Sequence, residues 1–148
     1  MLSLVLLLSS CQDNAQTAEQ AAVKEVIARE TEMFCALNME KWSATRTQSE
    51  NNLTISANSG GINITRGWQK ELAAAAAAFK DSEKDAKMQV ERTNWNIRVS
   101  GNVAWATFDQ YLNIPQFGIK DSRTVQIRCL EKTGGLWTIS VLNYTDTQ

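Results

Sequence analysis

The clearest alternation of hydrophobic and polar positions lies at residues 91–111, where two alternating segments flank a Ser-Gly-Asn turn. In the first segment we expect one face to carry Thr93, Trp95, Ile97 and Val99, and the other to carry Asn94, Asn96 and Arg98. A period of two, bounded by a glycine turn, is typical of β-strands. The segment is therefore predicted to be a β-hairpin.

The second strand of this hairpin places an acid in an aromatic row. One face carries Val103, Trp105, Thr107, Asp109 and Tyr111, and the other carries Ala104, Ala106, Phe108 and Gln110. Because successive side chains of a strand point to opposite faces, each face is predicted to be at least half covered. Asp109 is the candidate functional group of the hairpin.

Helical periodicity precedes the hairpin. Apolar residues recur at three and four positions over 17–37, which predicts an amphipathic helix with Thr17 as its N-cap and Glu30 on its apolar stripe. A carboxylate there either reaches a rim, paired with a surface cation, or points into a cavity. Asn38 is predicted to cap a short helix anchored by Trp42, and Thr65 to cap a helix over 66–80 that carries Trp68.

Shorter alternating segments complete the pattern. Strands are predicted at 53–56, 62–64 and 123–132, followed by a last strand with Trp137, Ile139, Val141 and Asn143 on one face. Residues 81–87 read as a charged loop, and 113–121 as a connection or flap. Helices first and a three- or four-stranded antiparallel meander afterwards predict an α+β fold.

Composition and charge argue against several classes of function. The 148 residues suffice for one domain, and 15 Lys+Arg against 16 Asp+Glu, without a basic run, argue against a nucleic-acid partner. The chain contains no histidine, which excludes H-E-x-x-H zinc sites, Ser-His-Asp triads and Cys-His dyads. We expect no metal and no cofactor.

The N-terminus resembles a bacterial lipoprotein signal. Residues 2–10 are apolar or small, Cys11 follows, and the chain then turns polar. We predict a signal peptide at 1–10, lipidation at Cys11, a tether at 11–16 and a domain at 17–148, exported and held in a bacterial envelope by the lipid alone. The alternative is a frayed apolar N-terminus. Cys35 and Cys129 are either small buried thiols or a disulfide.

Two blocks carry a resemblance to a known superfamily: 92–97 with 104–110, and the ending Glu131-Lys132, Gly134-Gly135, Trp137-Thr138-Ile139. They resemble the nuclear-transport-factor-2-like superfamily, and within it the SnoaL-like group of exported Bacteroidetes proteins. The resemblance implies a cone-shaped, cystatin-like roll with an apolar pocket, and a homodimer through the convex sheet face. Fold alone does not give function.

Three functions follow as alternatives. The first is binding of a small apolar or amphipathic molecule, with walls and orienting groups from Trp42, Trp68, Trp95, Trp105, Glu30, Asp109, Arg128 and Asn143. The second is ketosteroid-isomerase-like or cyclase-like catalysis, with Asp109 as base and Tyr111 or Asn143 as oxyanion donor, although the pocket histidine of related enzymes is replaced by Val141 or Asn143. The third is a ligand-free dimerisation module that uses Ala104, Ala106, Phe108 and Leu142 as a convex face.

Overall fold

The computed structural model describes residues 3–80, 82, 87–115 and 118–147, with side chains from residue 15 onward. In these residues the helices are α1 (Ser3–Cys35), α2 (Met39–Ser43) and α3 (Trp68–Lys80). The strands are β1 (Leu53–Asn58), β2 (Gly61–Arg66), β3 (Gln89–Ser100), β4 (Val103–Ile114), β5 (Ile119–Thr133) and β6 (Leu136–Asp146). None of these helices is both long and apolar enough to cross a bilayer.

The strands form one open sheet in the order β2-β1-β6-β5-β4-β3. The meander from β3 to β6 is antiparallel, as predicted. The hairpin of β1 and β2 belongs to the same sheet because β1 pairs with β6, in parallel. Helices packed on a sheet of this kind confirm the α+β fold class.

Helix α1 covers one face of the sheet, called the inner face below. Val23 and Ile27 are fully buried there. Burial of such side chains contributes about 1.5–3 kcal/mol each. The core they form contains, from the sheet, Ala104, Ala106, Phe108, Leu130, Trp137, Ile139 and Leu142. The opposite face of the sheet is called the outer face.

The helix boundaries test the predicted caps. Asn38 caps α2 as predicted, since its side-chain oxygen accepts a hydrogen bond from the amide of Lys41 at 3.0 Å. The Thr17 cap is wrong, because α1 already begins at Ser3. The Thr65 cap is also wrong, because Thr65 belongs to β2 and α3 starts only after Gly67, whose φ of 84° breaks the strand.

A bulge in β3 changes which residues face inward. The register with β4 shifts between Thr93 and Asn96, and Asn94 has a φ of 54°. One extra residue reverses the alternation on one side of a bulge. Arg92 therefore shares the inner face with Trp95 and Ile97, and the predicted grouping of Thr93 with them is wrong.

A second bulge lies in β6. Cys129 pairs with Val141 but Leu130 pairs with Ile139, so Ser140 is the extra residue. Beyond it Leu142 is buried on the inner face, whereas Val141 and Asn143 turn outward, opposite to their predicted alignment with Trp137 and Ile139.

Some predicted features fall wholly or partly outside the described residues. These are residues 1–2, the side chains of 3–14 with that of Cys11, most of the charged loop at 81–87, and residues 116–117 of the 113–121 connection. The signal peptide and the lipid anchor therefore stay predictions.

The β3 bulge predicts a specific stability difference at Asn94. A β-branched residue is strained at positive φ, so Asn94→Val should lower the free energy of unfolding by about 1–2 kcal/mol more than Asn94→Gly. Urea unfolding measures the difference. Asn96→Val is the matched control on regular strand backbone and should cost less than Asn94→Val. Equal effects of Asn94→Val and Asn94→Gly would contradict the bulge.

Candidate functional site

A cavity of about 740 Å³ opens between the inner face of the sheet and the helices. Its walls come from α1, α2 and α3 and from β1, β2, β4, β5 and β6, and exposed residues such as Asn58, Ser59 and Lys120 stand at its mouth. Ala74 and Ala75 of α3 line it and leave room because their side chains are small. We call this space the inner cavity.

Arg128 of β5 is the most unusual residue of the inner cavity. It is only 3% exposed, and its strand neighbour Ala106 is small enough to leave space beside it. Its Nη1 donates to the carbonyl oxygens of Ile127 and Asn143, both at 3.2 Å. Among the described residues, its Nε has no hydrogen-bond partner and no carboxylate forms an ion pair with it. The Arg128 guanidinium is thus a buried cation without a direct ion-pair partner among the described residues.

Burial controls the charge state of Arg128. Desolvation lowers its pKa to about 10, while the negative charge of Glu30 opposes part of that shift. A pKa of about 10 still leaves the guanidinium charged at neutral pH.

A second arginine lies beside the inner cavity. Arg92 donates from Nε to Oε1 of Gln110 and from Nη2 to Oγ1 of Thr31, both at 2.8 Å, and burial lowers its pKa. The Phe108 ring centroid lies 5.9 Å from the Arg92 guanidinium carbon and 5.6 Å from that of Arg128. A ring face attracts cations, by about 0.5–2 kcal/mol each. Phe108 therefore offsets part of the cost of burying both arginines.

Glu30 of α1 supplies the opposite charge. It is 7% exposed, lines the inner cavity, and accepts a hydrogen bond at Oε1 from Nε1 of Trp42 at 3.1 Å. Its Oε2 receives only a long contact of 3.4 Å from the Thr31 hydroxyl. Of the two sequence interpretations of Glu30, the one that points it into a cavity is correct.

A buried amide faces the same space. Gln126 is 2% exposed and lines the inner cavity, and its Nε2 donates to the Thr124 hydroxyl. Its Oε1 has no partner in the part of the chain that the structure describes. The polar residues of β5 thus face inward, while Val125 is 41% exposed on the outer face.

A buried ion pair closes one wall. Nη2 of Arg46 lies 3.4 Å from Oε1 of Glu71 and also donates to Thr54 at 2.9 Å and Asn52 at 3.2 Å. Glu71 and Thr54 line the inner cavity. Because the two charges offset one another, this pair adds no net charge to the wall.

The structure brings Trp42, Glu30 and Arg128 together at the inner cavity, as predicted. Trp68 stacks on Trp42 at 5.7 Å between ring centroids, and Trp95 stacks on Phe108 at 4.2 Å. Trp68 and Trp95 are therefore core residues behind the cavity and not residues of its wall. Trp105 is 38% exposed on the outer face, and Asn143 also points outward.

The predicted position of Asp109 and Tyr111 in the pocket is wrong. Both lie on the outer face, because the buried side of β4 is the one that carries Ala106 and Phe108. Asp109 accepts a hydrogen bond from Nδ2 of Asn94 at 2.6 Å, and Tyr111 donates to Asp121 at 2.7 Å, which raises the pKa of Tyr111. Neither side chain lines the inner cavity.

The predicted convex face is also misassigned. Ala104, Ala106, Phe108 and Leu142 are buried in the core against α1 and are not open to a second chain. The outer face instead exposes Val103, Trp105 and Val125. A homodimer through the sheet stays a prediction, now resting on these three residues.

Cys35 and Cys129 do not pair with each other. Cys35 is free and buried and lines the inner cavity, whereas Cys129 is free and half-buried on the outer face. No group of three or more His, Cys, Asp or Glu within the described residues is placed to hold a metal ion.

Sequence reasoning missed Arg92 and Gln126. The signal for Gln126 was available, because Thr124, Gln126 and Arg128 share one face of an alternating strand. The alternation does not say which face is buried. For Arg92 no signal was available, because strict alternation places it outside and only the bulge at Asn94 turns it inward.

Comparison with known proteins gives likeness in structure only. No family model and no curated protein matches the chain. A protein of unknown function from Mycobacterium tuberculosis matches with a TM-score of 0.73 at 16% identity, over 91% of this chain and 75% of that chain. A nuclear-transport-factor-2-like protein of unknown function from Shewanella oneidensis matches with a TM-score of 0.67 at 18% identity, over 86% of this chain and 99% of that chain. A nuclear-transport-factor-2-like protein from Cytophaga hutchinsonii matches with a TM-score of 0.66 at 11% identity, over 86% of this chain and 97% of that chain.

Cys35 supplies a test of this interior. Burial, with a contribution from the charge of Glu30, raises its pKa from 9.0 to about 11. Because the thiolate is the reactive form, alkylation of Cys35 by iodoacetamide at pH 8 should be about 100-fold slower in the folded chain than in urea. Peptide mass spectrometry resolves Cys35 from the other cysteines. Alkylation of folded Cys35 at the rate of the unfolded chain would contradict its burial.

Proposed function

We propose that this chain, which has the nuclear-transport-factor-2-like fold, is a binding domain that holds a small organic anion in its inner cavity. The observation that supports this most directly is the buried Arg128 guanidinium, whose Nε has no partner and which forms no ion pair among the described residues. A bound anion would supply both missing interactions.

The energetics favour an anion as the occupant. Burying a charge without a counter-charge costs several kcal/mol, and a buried donor left unpaired costs about 1–3 kcal/mol. Because Nη1 is already used on two carbonyl oxygens, the edge of the guanidinium formed by Nε and Nη2 has no donor role among the described contacts. A carboxylate fits that edge with two parallel, charge-assisted hydrogen bonds.

The size and walls of the inner cavity indicate the rest of the ligand. About 740 Å³ lies within the range of cavities that hold small molecules. Apolar wall residues, among them Phe34, Leu112, Ile114 and Leu142, suit a carbon skeleton. The sequence alone predicted a mostly apolar ligand. The charged interior favours an amphipathic one, with an acidic head near Arg128.

The position of Asp109 argues against the catalytic alternative. Asp109 lies on the outer face, so it does not reach a ligand held in the inner cavity. Binding needs only the groups that the inner cavity already presents. We therefore favour a binding domain over an isomerase built on Asp109.

Substitution of Arg128 tests the proposal. Arg128→Met removes the cation but keeps an unbranched side chain, so binding of a short carboxylate such as hexanoate should weaken about 10- to 100-fold. Titration calorimetry measures the affinity, and thermal unfolding with and without hexanoate provides a second readout, because a ligand stabilises only the form that binds it.

The matched control is Arg98→Met, since Arg98 lies exposed on the outer face of β3. It should bind hexanoate as the unsubstituted chain does. The proposal fails if no short carboxylate, nor inorganic phosphate as a comparison anion, binds the chain. It fails equally if Arg128→Met binds as well as Arg98→Met.

Attachment to a bacterial envelope is a second part of the proposal, supported by the apolar run at 2–10 and Cys11. Growth of an expressing bacterium with labelled palmitate should label the chain, and Cys11→Ala should abolish the label, whereas Cys129→Ala should not. Label that persists in Cys11→Ala would refute lipidation at this residue.

A further inference from the structure

The wall of the inner cavity carries unsatisfied acceptors as well as an unsatisfied donor. Trp42 occupies Oε1 of Glu30 at 3.1 Å and holds the carboxyl group in place. The Thr31 hydroxyl that approaches Oε2 at 3.4 Å stands equally far, at 3.4 Å, from the carbonyl oxygen of Ile27. Since hydrogen bonds to a carboxylate are normally shorter than 3.0 Å, Oε2 keeps most of its capacity to accept.

Gln126 adds an independent acceptor. Gln126 is 2% exposed, and yet its buried Oε1 has no partner within the described residues. Buried amide oxygens are rarely left unpaired, because the lost hydration is not repaid. A ligand that donates to Gln126 or to Glu30 would supply a missing hydrogen bond.

The net charge of the interior indicates whether the ligand's hydrogen-bond donor is neutral or charged. Arg128 and Arg92 bring two positive charges to the interior, Glu30 brings one negative charge, and Arg46 offsets Glu71. A ligand with a single negative charge leaves the interior neutral. An amino acid, whose ammonium and carboxylate cancel, leaves one positive charge uncompensated, which is costly in a buried site.

We infer that the anion held by Arg128 also carries a neutral hydroxyl group, which donates to Oε2 of Glu30 or Oε1 of Gln126, so that the ligand class is a short hydroxy acid. The inference rests on the proposed anion-binding function and adds a requirement that plain carboxylates do not meet. Arg128 would fix the acidic end, and Glu30 and Gln126 would select for the hydroxyl group.

A set of ligands with one chain length tests this directly. Hexanoate, its 2-, 3- and 6-hydroxy derivatives and 6-aminohexanoate are titrated calorimetrically into the unsubstituted chain. At least one hydroxyhexanoate should bind about tenfold or more tightly than hexanoate, as expected for one added hydrogen bond to a charged group. 6-Aminohexanoate should not exceed that hydroxy acid.

Glu30→Gln separates recognition of the hydroxyl from recognition of the anion. The amide oxygen can still accept from Trp42, but the negative charge is gone and an NH₂ group replaces Oε2. The preference for the hydroxy acid should fall below about threefold, while hexanoate itself should bind more tightly, because a like charge has been removed from its site. A merely structural role of Glu30 would weaken both ligands together.

Two further variants keep the test decisive. Glu32→Gln changes an exposed carboxylate on the same helix and should leave the hydroxyl preference intact. Gln126→Met removes the other acceptor at similar volume, so a hydroxyl preference that is unchanged in both Glu30→Gln and Gln126→Met overturns the inference. If hexanoate binds through Arg128 but no hydroxy acid binds better, the inference is wrong and the proposed function stands. If 6-aminohexanoate binds best, the donor is an ammonium and the inference is wrong. If nothing in the set binds, the proposed function itself fails.

Discussion

The interior is arranged around two arginines, Arg92 and Arg128, that contact the same aromatic ring, that of Phe108. Each guanidinium carbon lies within 6 Å of the ring centroid, at 5.9 Å for Arg92 and 5.6 Å for Arg128. Trp95 stacks on the same ring and fixes it in the core. The aromatic contact reduces the cost of the buried charges but does not cancel it, since a cation–π contact is worth about 0.5–2 kcal/mol and burying an ion costs several kcal/mol. The remaining cost is what the proposed anion would offset.

That arrangement divides the sheet into two regions. One end of the inner face is a dry core in which α1 covers Ala106 and Ile139. The other end carries Gln126 and Arg128 and faces the inner cavity, because the next residues of α1 on the same stripe are Glu30 and its neighbours. A helix that continued its apolar stripe would have filled the inner cavity with apolar side chains. The carboxylate at Glu30 keeps the space polar, and the alanines of α3 keep it open.

Much of the fold could be predicted from local rules, because alternation, helical periodicity and the Asn38 cap are properties of neighbouring residues. The site could be predicted only in part. Alternation in β4 grouped Asp109 with Tyr111 correctly, yet it does not state which group is buried, and the aromatic row proved to be the outer one. In β5 the more hydrophobic face is the outer one, since Val125 is exposed and Gln126 is buried. Burial of polar residues in place of apolar ones reverses the usual rule that hydrophobic side chains lie inside. Such departures are expected at functional or strained sites.

The bulges explain the remaining misassignments and tie them to the site. Without the extra residue at Asn94, strict alternation would place Arg92 on the outer face, where it could reach neither Thr31 nor Gln110. Without the extra residue at Ser140, Leu142 would turn outward, and the inner cavity would lose one of its apolar walls. Each bulge costs a ladder hydrogen bond and, at Asn94, a strained φ. Such costs persist where the structure gains something local from them. Here the gain is an interior in which a charged group and an apolar wall stand side by side, which an unbroken alternation of this sequence does not produce.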